Sequence, residues 1–137
     1  MGRVFFNTRK NVHSLTGAYQ CLDSDSGKVF VLNAAAGAAI TLPTVADTSE
    51  GWNAKFIVGT AFATTDWTIV ASAAVIKGGV NELETDDTED GPSTTGATNI
   101  HLELAAETIG DYYELVFDGT SYWLSGQTVA DGALTFS

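Results

Sequence analysis

The chain has 137 residues, of which 45 % are hydrophobic and 10 % aromatic, enough for one domain with a real core and too little for a second. Charged residues make up only 17 %, and six basic against seventeen acidic residues give a net charge of −11. That balance argues against a general nucleic-acid binder, which needs clustered Lys and Arg against phosphates; so low a charge fraction on so apolar a chain points to a surface partly covered by a partner.

The first ten residues carry Arg3, Arg9 and Lys10 and no acid, a local +3, so the remainder has 3 basic and 17 acidic residues, or −14. Val4, Phe5 and Phe6 lie inside this basic stretch as an apolar triplet with no alternating polar residue. Residues 1–12 therefore read as a basic, apolar arm on an acidic body that runs from residue 13 to residue 137. Such an arm gains by lying on a partner, its apolar triplet as anchor and its cations paired with acidic groups. Arg3, Val4, Phe5, Phe6, Arg9 and Lys10 are the candidate contact residues; the competing expectation makes Val4 to Phe6 a strand of the domain's own sheet. The start lacks the apolar region of a secretory signal. Gly2 follows Met1, but Phe6 stands where a myristoylation site needs Ser or Thr.

Helical periodicity is scarce beyond single turns at Val45 to Glu50 and Ala105 to Ile109. Short β-branched or aromatic runs, punctuated by Gly, Asp, Asn, Ser and Thr, predict ten strands: Ala18 to Leu22, Lys28 to Asn33, Ala39 to Leu42, Ala54 to Val58, Trp67 to Ala71, Val75 to Lys77, Ile100 to Leu104, Tyr112 to Phe117, Tyr122 to Ser125 and Leu134 to Phe136. This is the pattern of an all-β sandwich or barrel, and the expected fold is a single-domain, jelly-roll-like antiparallel β-sandwich. Ile100, Leu102 and Leu104 alternate with His101 and Glu103, as in a sheet wet on one side. Val29 to Leu32 and Phe56 to Val58 are continuous apolar runs, expected of a central strand or of one whose second face another subunit covers. Asp118-Gly119 marks a hairpin. A four-residue loop, Asp118 to Ser121, pairs Phe117 with Tyr122, Val116 with Trp123 and Leu115 with Leu124, apolar against apolar, and is preferred to a two-residue turn.

Groups that could carry chemistry are few. Cys21 is the only cysteine, so no intrachain disulfide and no cysteine-based metal site can form. His13, Ser14, Cys21 and His101 show no nucleophile motif; they read as a loop histidine, a packed cysteine and a solvent-face histidine. Asp86-x-Thr88-x-Asp90-Gly91 partly matches a calcium loop, but the twelfth position is Ala97 instead of the bidentate Glu. The polar stretch Leu83 to Thr98 reads instead as a solvated loop or insertion. Asp23 to Gly27 reads as a hairpin loop and Gly78-Gly79 as a turn. Trp52, Trp67 and Trp123, with Tyr112, Tyr113 and Tyr122, could stack on sugars, though their strand positions favour packing. No phosphate-cradling Gly motif is present, and no apolar run approaches the ~18 residues of a membrane-spanning helix. No catalytic residue, metal or cofactor is expected.

The block SGKVFVLNAAAGAAITLPTVADTSEGWNAKFIVGTA has an apolar strand, a small-residue turn, the strand Ala39-Ile40-Thr41-Leu42-Pro43 and a Gly-led loop into a further strand. It resembles a block of tailed-bacteriophage virion proteins. The block Ile109 to Gly126, IGDYYELVFDGTSYWLSG, resembles the closing hairpin of the same proteins. The likeness runs from about Ser26 to Gly126 and implies a head decoration (cement) protein or a related fibre domain, β-rich, usually trimeric and not an enzyme. Its implied partners are the major capsid protein and two further copies of itself, on the outer surface of the capsid. The other expectation is a receptor- or glycan-binding domain of a phage fibre. The acidic stretch Leu83 to Thr98 has no counterpart in this likeness.

Overall fold

A computed structural model describes residues 9–84 and 91–137. Thirteen strands form two sheets: β1 (Asn11–Leu15), β2 (Tyr19–Gln20), β3 (Lys28–Leu32), β4 (Ala39–Thr41), β5 (Asn53–Val58), β6 (Trp67–Val70), β7 (Ile76–Gly79), β8 (Asn81–Glu82), β9 (Ser93–Ala97), β10 (Asn99–Leu102), β11 (Tyr112–Phe117), β12 (Tyr122–Thr128) and β13 (Leu134–Phe136). The larger, eight-stranded sheet has the order β1-β3-β5-β11-β12-β7-β9, with β8 also on β12; the smaller is β13-β10-β6-β4-β2. The all-β expectation holds. The purely antiparallel pairing does not, because both sheets are mixed: β1 with β3, β3 with β5, β2 with β4 and β4 with β6 all run parallel.

The cause is the path of the chain. From β1 to β7 each strand lies in the opposite sheet to its predecessor. Two crossings return the chain in its original direction, so the next strand of the same sheet is laid down parallel. Asp23 to Gly27 is accordingly no hairpin loop. Asp23–Asp25 forms a 3-10 turn that carries the chain from β2 in one sheet to β3 in the other.

The core lies between the sheets. Phe30 and Phe56 stack at 5.4 Å, and Trp52 meets Tyr122 edge-on at 5.6 Å. Both indoles are buried with their N–H groups satisfied: Trp52 Nε1 donates to Leu22 O at 3.1 Å and Trp67 Nε1 to Ala34 O at 3.0 Å. Each such side chain contributes ~1.5–3 kcal/mol before ordering costs. Tyr122 ties the sheets together, its hydroxyl donating to Pro43 O at 2.7 Å and lying 2.8 Å from Thr48 Oγ1. Tyr113 is equally buried, but its hydroxyl has no hydrogen-bond partner among the described residues.

Three further strands, β1, β8 and β9, were not expected. β1 begins at Asn11, so Asn11 and Val12 of the expected arm belong to the sheet. Within the polar stretch Leu83 to Thr98, Ser93–Ala97 is β9, antiparallel to β7; Asp86 and Asp90 lie outside the described residues. Gly78-Gly79 is no turn but part of β7, where Gly78 has φ +106° at a register shift. A Cβ there would run into the carbonyl oxygen of Leu124 on β12. The run Val45 to Glu50 holds a 3-10 turn at Val45–Asp47. The β11–β12 hairpin has the predicted four-residue register, with Phe117 opposite Tyr122 and Val116 opposite Trp123.

Candidate docking face

The side chains that could carry chemistry are placed as follows. Cys21 is 1 % exposed, and burial pushes its thiol up to about 12, the reverse of an activated nucleophile. His13 lies on β1, not in a loop, its ring against Tyr19 and Phe30. Ser14 Oγ accepts from Asn33 Nδ2, and His101 Nε2 lies 2.9 Å from Ser137 Oγ. Asp25 is buried and paired with Lys28 at 2.5 Å. Burial would raise its pKa, but bonds from Lys28, the Leu22 N–H and the Tyr19 hydroxyl outweigh that and hold it below the ordinary carboxylate value.

Among the six candidate sugar-stacking rings, Trp52, Trp67, Tyr113 and Tyr122 are core residues, Tyr112 is half-buried, and Trp123 is 48 % exposed. Trp123 lies on an open apolar region, the outer face of the eight-stranded sheet. In β3 and β5 the alternation sends Phe30, Leu32, Phe56 and Val58 into the core and leaves Val29, Val31 and Ile57 half-buried on the outside. The two apolar runs therefore serve two surfaces, only one of which the described residues cover. β1 adds Val12, 61 % exposed, and β11 adds Val116, 46 % exposed. Register places Val12 beside Val29, Val31 beside Ile57, and Val116 beside Trp123. The apolar side chains thus form a band across five neighbouring strands. A groove of about 500 Å³ follows it, lined by Val12, Val29, Ile57, Val116, Lys10 and Lys55.

Two of the polar neighbours are held in place. Lys55 Nζ is 3.2 Å from Glu114 Oε1 and 4.1 Å above the Tyr112 ring, a cation–π geometry. The Trp123 indole is held at one edge and on one face. Its Nε1 donates to Asp118 Oδ2 at 2.6 Å, and Lys77 Nζ lies 5.7 Å from the ring centroid. Asp118 also accepts from the backbone N–H groups of Thr120 and Ser121 and from the Thr120 hydroxyl. These donors, the indole first, hold its carboxyl far below the ordinary range, so it stays an anion.

Of the six arm residues named as contact candidates, Arg3, Val4, Phe5 and Phe6 lie outside the described residues. Arg9 and Lys10 are exposed just ahead of β1, and Lys10 lines the groove. Sequence reasoning missed the groove as a unit. Its signals were the non-alternating runs in β3 and β5 and the Val116–Trp123 pair, but only the strand order β1-β3-β5-β11-β12 brings them together. Among the described residues no helix is long and apolar enough to cross a membrane, and no group of three or more His, Cys, Asp or Glu side chains could hold a metal ion. Comparison of the chain with protein-family models, curated proteins and solved structures finds no match.

Proposed function

We propose that this chain is a structural virion protein: a decoration, or cement, protein that binds the head of a tailed bacteriophage as a homotrimer. It bridges neighbouring major capsid protein subunits on the outer surface and carries out no reaction. The observation that supports the reading is the open outer face of the eight-stranded sheet, where Val12, Val116 and Trp123 expose 61 %, 46 % and 48 % of their surface. An apolar band of this kind marks a contact surface. The likeness of Ser26 to Gly126 to phage virion blocks supplies the kind of particle. The other reading, a glycan-binding fibre domain, retains Trp123 as its one strongly exposed ring, since Trp52 and Trp67 are spent in the core.

The test uses heads of the phage that encodes the chain, prepared without it and mixed with purified protein. Saturable co-sedimentation and a higher temperature of head disruption are expected, together with a trimer mass by light scattering at micromolar concentration. Heads that take up no protein at saturating concentration refute the reading.

A further inference from the structure

We infer that the groove on the outer face takes an acidic segment of a shell protein that carries at least one aliphatic or aromatic anchor. The inference rests on the head-binding reading and adds the chemistry of the contact.

Charge carries the argument. By strand alternation the outward residues of β1, β3, β5, β11, β12 and β7 include Lys55, Lys77 and a single acid, Glu114. Lys10 joins them at the groove and Asp118 at the hairpin end. Among the described residues the face therefore holds Lys10, Lys55 and Lys77 against Glu114 and Asp118, a net +1 on a chain of −11; Lys28 also lines the groove but is paired with Asp25. The one acid within the groove is engaged with Lys55, and Asp118 is saturated by its own turn and the indole. Lys10 has no ion-pair partner among the described residues. The cations thus flank the apolar band at both ends, Lys10 beside β1 and Lys77 beside Trp123. A polypeptide that fills the band with apolar side chains and ends in carboxylates is complementary to it in shape and sign.

The same arrangement disfavours a second copy packed face to face. A two-fold contact would lay three lysines against three lysines, with only Glu114 and the engaged Asp118 of each copy to offset them. Trp123, locked by Asp118 and Lys77, loses little freedom on contact and has the character of a binding hot spot.

The experiment measures co-sedimentation with heads at about 50 mM and about 300 mM salt, where the screening length falls below 10 Å. The proteins are wild type, K10Q/K77Q, W123A and a charge-matched control, S72E/A73E, in the exposed turn between β6 and β7. K10Q/K77Q and S72E/A73E each change the net charge by −2, and unchanged thermal melting shows that each variant folds. K10Q/K77Q is expected to bind about tenfold more weakly at low salt with a flatter salt dependence, W123A at least about tenfold more weakly at both, and the control within about twofold of wild type. If wild type binds and K10Q/K77Q binds as tightly with the same salt dependence, the acidic occupant is wrong while head binding stands. If W123A binds as wild type, the anchor on this face is wrong. If wild type binds no heads, the head-binding reading falls and the inference with it.

Discussion

Tyr122→Phe and Tyr113→Phe remove the same atom from side chains that are both 0 % exposed, yet the structure predicts opposite outcomes. The Tyr122 hydroxyl donates to Pro43 O at 2.7 Å and contacts Thr48 Oγ1 at 2.8 Å, joining the eight-stranded sheet to the segment after β4. Two such bonds contribute ~0.5–1.5 kcal/mol each, and their loss strands the Pro43 carbonyl, so Tyr122→Phe is expected to cost ~1–3 kcal/mol. The Tyr113 hydroxyl is desolvated without a partner among the described residues. Its removal relieves a penalty of the same order, so Tyr113→Phe is expected to be neutral or stabilising by up to ~2 kcal/mol. Urea unfolding at neutral pH, with m-values checked for constancy, separates the two. The predicted gap between the variants is ~1–5 kcal/mol. Equal losses in both, or a loss above ~1 kcal/mol in Tyr113→Phe alone, would refute the assignment of these hydroxyls.

Asp25 is held below its ordinary pKa, so its contribution is present above the unfolded value near ~4 and is lost as pH falls through the folded one. Asp25→Asn is expected to cost ~1–3 kcal/mol at pH near 6, with the gap to wild type closing in acid, as read by urea unfolding across a pH series; a gap that stays constant in acid would contradict the pairing. Gly78→Ala combines a positive φ with a clash on Leu124 O and is expected to lose at least ~2 kcal/mol. Gly17→Ala, with nothing within 4 Å and no positive φ, should change the melting midpoint little, and equal effects of the two would speak against the close approach of β12 to Gly78.

Much of the secondary structure was legible because β-branched and aromatic runs separated by turn residues are local signals. The β11–β12 register was readable for the same reason: only the four-residue loop sets Leu115, Val116 and Phe117 against apolar partners. What stayed hidden depends on pairing between distant segments. Asn11–Leu15 alternates polar and apolar residues weakly, and its strand exists because β3 offers a parallel edge. Ser93–Ala97 is a strand of Ser, Thr, Gly and Ala, set by β7. Gly78-Gly79 looks like a turn by composition, yet serves as the point where β12 comes close enough to exclude a side chain. The docking face was half legible. The doubly apolar runs gave a reason to expect covering, but the convergence of Val12, Val29, Ile57 and Val116 needs the strand order.

The winding of the chain between the two sheets also governs how it can form. Among the described residues, β11 and β12 are the only consecutive strands that pair with one another. Every other ladder joins segments separated by at least one strand elsewhere. Loop closure must therefore precede almost every contact, which places this topology among slow-folding β-proteins. The β11–β12 hairpin is the natural nucleus, and it follows β1, β3 and β5 in the chain. During synthesis the first half emerges with β1, β3 and β5 unable to complete a layer until β11 arrives to pair with β5. The apolar runs that later form the core and the outer face thus stay exposed until β11 has paired with β5, and the chain is open to association with itself over that interval.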